Sequence, residues 1–385
     1  MLKVSVVTAT RAEYGILKPL IKKLDWDNDI ELQLIATGTH LSQKYGFTVS
    51  EICDDNFKIF KRIPILEDGN SPYDISLTMA NALKGFAEYF RDNQPDLVIL
   101  LGDRTEMLAI ASAAMNERVP ICHIHGGEVT EGAVDECVRH AITKMSYMHF
   151  ASTENYKNRI IQLGEQPENV YNSGALSVEN ILNTNLLSKD ELLSELDIPS
   201  GAEYAVVTFH PVTLEENSHE WQIESLYKAM RSFKNMYYIV TKSNADAGGE
   251  LINQKIEGYS KKDSHIRVVS SLGMKKYLSA VKHAEFVLGN SSSGVIEAPT
   301  IGTPTVNVGD RQRGRLMPET VISCSNEAED IIEAINNALQ MEHKPSGLYG
   351  DGNTSEIIVS AIKEKFKNPI KLKKKFYDIN QGESS

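Results

Sequence analysis

The chain has 385 residues, of which 41% are hydrophobic and 24% charged, the balance of an ordinary globular protein rather than a disordered or fibrous one. Its 40 Lys and Arg stand against 52 Asp and Glu, a net charge of −12, which argues against a general nucleic-acid or anionic-membrane binder. No run of about 18 apolar residues offers a membrane span. The four cysteines (Cys53, Cys122, Cys137, Cys324) form no Cys-x-x-Cys pair, so neither a disulfide framework nor a zinc ribbon is expected. The opening Met1-Leu-Lys-Val-Ser-Val-Val-Thr8 runs quickly into Arg11 and Glu13 and reads as a strand, not a secretory signal; the scattered cysteines suit a reducing cytoplasm, the expected location.

In chain order, short apolar runs alternate with amphipathic stretches. Val4–Val7, Leu32–Ile35, Leu97–Leu101, Ile121–Ile124 and His149–Ala151 predict buried strands. Helical periodicity covers Ile16–Leu24, Ile75–Arg91, Glu106–Asn116 and Glu136–Lys144. The pattern resets near Gly174, with helices expected over Leu176–Leu182 and Lys189–Glu195. A second series follows: strands at Ala205–Phe209, Met236–Val240, Ile266–Val269, Phe286–Leu288 and Thr305–Val308. Helices are expected at Trp221–Phe233, Gly249–Glu257, Lys275–Val281, Gly294–Pro299, Ala328–Leu339 and Ser355–Phe366. The expectation is an α/β protein with two doubly wound, Rossmann-like domains. They are placed at 1–174 and 175–361, with a C-terminal helix at about 362–378 packing back on the first. The Lys371–Lys375 cluster reads as a solvated tail. Such sheets carry function at the carboxyl ends of their strands, in a cleft between domains.

The first strand ends Thr8-Ala-Thr-Arg-Ala-Glu-Tyr14, which is neither a dinucleotide fingerprint nor a P-loop. Arg11 there either clamps a phosphate or pairs with Glu13 at the surface. The run ending Leu101-Gly-Asp-Arg-Thr-Glu106 delivers Asp103 and Arg104 to a strand end, where a charge is functional or caps the next helix. Ile121-Cys-His-Ile-His-Gly-Gly-Glu128 puts His123 and His125 on one strand face, but no third metal ligand is spaced to join them. Gly126-Gly127 permits a sharp turn, and Glu128 after it suits a general base. Asp135 and Glu136 open a helix, where acids also simply complement the dipole. Convergence of Asp103, Glu128 and Asp135 would supply paired carboxylates for acid/base chemistry.

In the second half, His210 sits between a strand and Pro211, poised as proton carrier or phosphate donor, or as a structural histidine. Gly289-Asn-Ser-Ser-Ser-Gly-Val-Ile-Glu-Ala-Pro299 predicts a strand, a serine-glycine turn and a helix start, an anion cradle of amides and the hydroxyls of Ser291–Ser293. Glu297 is placed to accept ribose hydroxyls. Gly309-Asp-Arg-Gln-Arg-Gly-Arg315 concentrates Arg311, Arg313 and Arg315 in a loop fit to neutralise polyphosphate. The composite describes a nucleotide-sugar enzyme.

The motifs Gly102-Asp-Arg, His123-Ile-His-Gly-Gly-Glu, Val138-Arg-His-Ala-Ile-Thr-Lys144, His210-Pro-Val-Thr, Gly289-Asn-Ser-Ser-Ser-Gly and Gly309-Asp-Arg-Gln-Arg-Gly-Arg occur together. In that combination the chain resembles the hydrolysing UDP-N-acetylglucosamine 2-epimerases of bacterial sialic-acid and legionaminic-acid biosynthesis. The resemblance implies a glycosyltransferase-B type fold with the active site in the interdomain cleft. It implies Asp103, Glu128 and Asp135 as the acid/base set, with Glu136 able to replace Asp135, and His210 assisting. It implies UDP binding by Arg11, Ser291, Ser292, Glu297 and Arg311, with Arg104 and Gly294 also at the substrate. Asn244 and Asp246, in Ser-Asn-Ala-Asp-Ala-Gly, match a motif lining the sugar. No cofactor and no metal are implied. The partners implied are a UDP-sugar and UDP, with no nucleic acid or membrane, in a homodimer or homotetramer.

Overall fold

The computed structural model describes residues 1–69, 71–130, 134–211, 219–243, 249–270 and 272–379. The chain divides into two compact units: Met1–Asn180 with Gly350–Ser385, and Ile181–Tyr349.

The first unit is built on seven strands: β1 (Leu2–Thr8), β2 (Ile30–Thr37), β3 (Ile59–Ile63), β4 (Leu97–Leu101), β5 (Ile121–Ile124), β6 (Met148–Ala151) and β7 (Val170–Asn172). They pair in parallel in the order β3-β2-β1-β4-β5-β6-β7. The second unit has six: β8 (Tyr204–Thr208), β9 (Tyr237–Thr241), β10 (Ile266–Val269), β11 (Phe286–Gly289), β12 (Thr305–Val308) and β13 (Val321–Cys324). Their order is β10-β9-β8-β11-β12-β13, again all parallel. In each sheet the order reverses beside the first strand, so the switch points lie between β1 and β4 and between β8 and β11.

Central strands are buried along most of their length because helices cover both faces; β4 is Leu-Val-Ile-Leu-Leu and buried at every position. Each such side chain contributes about 1.5–3 kcal/mol on leaving water. Three strands, β3, β7 and β13, escape the sequence pattern, and all three are sheet edges. β3 is Ile-Phe-Lys-Arg-Ile with three exposed residues at its centre, because an edge has little apolar surface to cover.

The chain returns to the first unit earlier than expected. The return helix spans Thr354–Lys365, and residues 366–379 carry no helix, in place of the helix expected at 362–378. Its start is tied down by Glu179, which accepts from Ser355 N (2.7 Å) and Ser355 Oγ (2.5 Å), while Thr354 Oγ1 donates to the Ala175 carbonyl (3.2 Å). Ile358, Val359 and Ile362 join the core around β1 and the helix Arg11–Trp26, as does Leu176. Those contacts draw residues 175–180 and 350–361 into the first unit.

The Lys-rich tail is not merely solvated. Lys374 Nζ bonds Glu165 Oε2 (2.5 Å) and the carbonyls of Lys144 (2.9 Å) and Ser146 (2.7 Å). Glu165 is fully buried and also meets Lys144 Nζ (2.6 Å) and His149 Nε2 (3.1 Å). Burial opposes its ionisation, but the bonds from His149, Lys144 and Lys374 outweigh that and hold the carboxyl at about 2. No helix among the described residues is long and apolar enough to cross a membrane.

Candidate functional site

In the first unit the candidate acids gather around one buried arginine. Asp103 leaves the end of β4, Glu128 follows the turn after β5, and Asp135 and Glu136 open the helix Val134–Met145. Arg139, one turn further along that helix, is only 2% exposed. Its guanidinium pairs with Asp103, donates to the Glu128 carbonyl (3.0 Å) and Thr130 Oγ1 (3.0 Å), and meets Glu136 Oε2 (3.0 Å). A planar fork with several fixed donors thereby ties three segments together.

The carboxylates differ in setting. Partial desolvation, then the charge of Asp103, push Asp135 up, while Arg139 and Arg104 pull against them. Glu136 is the opposite case: burial opposes its charge, but bonds from the Thr130 amide (2.6 Å) and His140 Nε2 (3.1 Å) bring it below its usual range. Glu136 therefore anchors the loop and helix start, with Arg139, His140 and the Thr130 amide all on its carboxylate. Glu128 accepts from Ser152 Oγ (2.8 Å) and lies 3.5 Å from His125 Nδ1.

The turn after β5 is tight. Gly127 has φ +77°, and a Cβ there would lie 2.3 Å from the Tyr156 carbonyl oxygen. His125 lies beyond the strand at φ +66°, a conformation rare for a residue with a side chain. His123 and His125 thus do not share a strand face. His123 is fully buried, and its Nε2 donates to the Gly102 carbonyl (2.8 Å), since a carbonyl can only accept. Burial holds its imidazole at about 3, hence neutral. Among the described residues no group of three or more His, Cys, Asp or Glu is arranged to hold a metal ion.

At the β1–β4 switch point, Arg104 Nε bonds Glu106 Oε1 (2.5 Å) and lies 3.8 Å from Glu13 Oε1. Arg11 does not pair with Glu13, which faces inward. It is 62% exposed and pairs with Glu51 (3.1 Å).

In the second unit the candidate residues gather at the β8–β11 switch point. Gly289 ends β11 at φ +133°, where a Cβ would lie 2.0 Å from the Thr208 carbonyl oxygen; only glycine lets the two strand ends approach so closely. The next residue, Asn290, bonds His210 through both backbone groups: its Oδ1 accepts from His210 N (2.7 Å) and its Nδ2 donates to His210 O (2.8 Å). Arg311 and Gln312 in turn donate to the Asn290 carbonyl (3.1 and 2.9 Å). His210 is 7% exposed, with Nδ1 3.2 Å from Ser243 Oγ.

The serine-glycine turn is tighter than the expected helix at Gly294–Pro299. Ser292–Gly294 form one 3-10 turn and Glu297–Ile301 a short helix. Ser291 Oγ accepts from Ser293 N (3.4 Å), and Ser293 Oγ receives the Tyr277 hydroxyl (2.8 Å). Gly294 packs on Thr305, whose methyl would meet an added Cβ at 2.8 Å. Glu297 is pushed up by burial, and its Oε2 is buried without a hydrogen-bond partner among the described residues. Of the three loop arginines, Arg311 points to Asn290, Arg313 is exposed and Arg315 adds positive charge near Glu297. Asn244 and Asp246 lie outside the described residues.

Sequence reasoning missed the organisers of both clusters, Arg139 and Asn290. Arg139 stands three residues after Glu136 on one helix face, a signal available to pairing arguments. Asn290 sits inside the serine-glycine motif, but the bonds it makes join residues 80 apart.

A family model described as UDP-N-acetylglucosamine 2-epimerase matches residues 22–363. The chain is 42% identical over 343 residues to GDP/UDP-N,N'-diacetylbacillosamine 2-epimerase (hydrolyzing) of Campylobacter jejuni, covering 89% of this chain and 88% of that one. It is 40% identical over 392 residues to polysialic acid biosynthesis protein P7 of Escherichia coli, covering 100% of both. The crystal structure of UDP-GlcNAc 2-epimerase from Neisseria meningitidis bound to UDP-GlcNAc superposes with a TM-score of 0.80 at 19% identity, covering 94% of this chain and 100% of that one, a likeness of fold. The fold is of the glycosyltransferase-B type. With most of its length matched, the chain belongs to the UDP-N-acetylglucosamine 2-epimerase family.

Proposed function

We propose that this protein is a hydrolysing UDP-sugar 2-epimerase that converts UDP-N-acetylglucosamine and water to N-acetylmannosamine and UDP. Departure of UDP from carbon 1 builds positive charge there and loosens the neighbouring C–H bond. A carboxylate takes the proton from carbon 2 on the opposite sugar face, giving 2-acetamidoglucal. Water then adds at carbon 1 while carbon 2 is reprotonated from the other side, and the free sugar leaves with inverted carbon 2.

Asp103, Glu128 and Asp135 form the acid/base set in this reading. The observation that carries it is the difference between Asp103, ion-paired with Arg139, and Asp135, pushed up beside it. Neighbouring carboxyl groups held in different settings suit one to donate a proton while another accepts. Ser291, Ser292, Gly294, Glu297 and Arg311 hold UDP, with Arg11 and Arg104 on the anionic groups and Asn244 and Asp246 toward the sugar. His210 assists the departing phosphate.

A second substrate, UDP-2,4-diacetamido-2,4,6-trideoxyglucose, fits the same chemistry. The 42% identity to an enzyme named for diacetylbacillosamine favours it. Incubation with each UDP-sugar in heavy water, followed by proton NMR, tests both. Free 2-deuterated product plus UDP from either substrate supports the hydrolysing reaction and identifies the sugar. A product still attached to UDP rejects hydrolysis, and turnover of neither rejects the proposal.

A further inference from the structure

Around Arg139 the carboxylates of Asp103 and Glu136 are gripped directly by a guanidinium. Glu128 is held in another way. Two guanidiniums approach its turn, and the bonds they make there go to the main chain. Arg139 Nη1 donates to the Glu128 carbonyl (3.0 Å), and Arg159 Nη1, from the helix Glu154–Gln162, donates to the Gly127 carbonyl (2.6 Å). Among the described residues, the hydrogen bond on the carboxylate itself comes from a neutral group, Ser152 Oγ on Oε1 (2.8 Å). His125 Nδ1 lies 3.5 Å from the same oxygen. No hydrogen bond from a described residue reaches Oε2.

The backbone fixes both ends of that bond. His125 N donates to the Phe150 carbonyl (2.9 Å), which carries the β5–β6 pairing one residue past the end of β5. Ser152, directly after β6, is 1% exposed, and Thr153 behind it caps the next helix by accepting from Tyr156 N (3.2 Å). The glycines of the facing turn are wedged in place: a Cβ on Gly126 would lie 3.0 Å from both His123 Nδ1 and Thr143 Oγ1. A buried hydroxyl needs a partner, and among the described residues Glu128 is the partner Ser152 has. Alanine would fill the same place with nothing polar to satisfy, so the carboxylate is what accounts for a serine there.

We propose that Ser152 is a positioning residue for Glu128: by holding Oε1 it aims Oε2 at the proton on carbon 2 of the sugar, while Arg159 fixes the turn through the Gly127 carbonyl. This rests on the acid/base reading of Glu128. A general base acts only within hydrogen-bond reach of its proton, and misplacement by about 1 Å costs on the order of 10²-fold in rate. A guanidinium on the carboxylate would fix it too, but would oppose its protonation more strongly than one hydroxyl does. The two nearby arginines spend these bonds on carbonyls, and a hydroxyl sets the direction of the side chain.

The test is steady-state kinetics of the full chain on whichever UDP-sugar the wild type turns over, beside UDP affinity by calorimetry. Ser152→Ala removes one oxygen from a buried site. Its kcat falls about tenfold or more, while KM and UDP affinity stay within about twofold of wild type. Ser152→Thr keeps a hydroxyl on the same carbon and recovers most of the lost kcat. Arg159→Gln, at a half-buried side chain, shows the same split more weakly and decides the matter should Ser152→Ala not fold. Wild-type kcat in the folded variants overturns the proposal. So does a change in KM and UDP affinity as large as that in kcat, the mark of a general loosening. Wild-type protein inert on both UDP-sugars is a separate result, which rejects the epimerase reading and this inference with it.

Discussion

The two sheets close their switch points by different physics. Between β1 and β4 the joint is ionic: Glu13 and Glu106 share Arg104, with Arg139 tying Asp103, Glu128 and Glu136 beside it. Between β8 and β11 it is a neutral amide: Asn290 holds His210 by both backbone groups and receives Arg311 and Gln312 on its own carbonyl. The ionic joint responds to protons, which suits a region read as the acid/base half. The other joint is made through an amide side chain and backbone groups, none of which gains or loses a proton near neutral pH.

The largest effect expected is at Arg139. Arg139→Met leaves Asp103 and Glu136 without their buried partner and costs about 3–5 kcal/mol in urea unfolding, with turnover lost. Arg139→Lys keeps the charge but not the fork and recovers only part of that stability. A variant as stable as wild type would remove the ionic character claimed for this half.

Next comes the pH response. Burial first, then the charge of Glu106, raise the Glu13 carboxyl from 4.5 to about 7. The folded chain thus binds this proton more tightly than the unfolded chain. The resulting stabilisation is full below pH 4.5, declines as pH rises toward 7 and is gone above it. Relative to Glu13→Gln, wild type should lose about 3 kcal/mol across that window. Urea unfolding of both proteins at pH 4.5, 6 and 8 measures it. A constant difference would mean Glu13 stays ionised throughout.

Asn290→Ala removes two bonds to His210 and should cost about 2 kcal/mol. Here the cost stays the same from pH 6 to 8, and UDP affinity by calorimetry falls as the turn loosens. A pH-dependent cost would erase the contrast between the joints. The smallest effect is at Arg11: its exposed pair with Glu51 is worth under about 0.5 kcal/mol. Arg11→Ala should therefore leave the melting temperature unchanged while weakening UDP binding, and unchanged UDP binding would remove Arg11 from the substrate residues.

Much of this was legible in the chain itself, for stated reasons. A strand buried on both faces must be apolar, so β1, β4, β8 and β11 announce themselves, and the charged or glycine-rich residues after them stand out as strand ends. The edge strands β3, β7 and β13 did not, since β3 and β13 have exposed sides and no apolar run. The His-x-His pair misled because the chain turns at His125, through a positive φ that no spacing reveals. Lys374 misled because one lysine of a solvated-looking cluster finds a buried glutamate 209 residues earlier.

By itself, then, the order of residues determined the two α/β series, the strand ends that carry acids, and the serine-glycine turn, because local periodicity and the need to bury apolar surface act over a few residues. Tertiary structure alone decided which acids are anchors and which are left with a perturbed proton. Glu136 and Asp135 are neighbours in sequence, yet one is satisfied by Arg139, His140 and the Thr130 amide while lost water and then the charge of Asp103 push the other up. Electrostatic energy depends on distance through space and on lost water, and neither is written in the spacing along a chain.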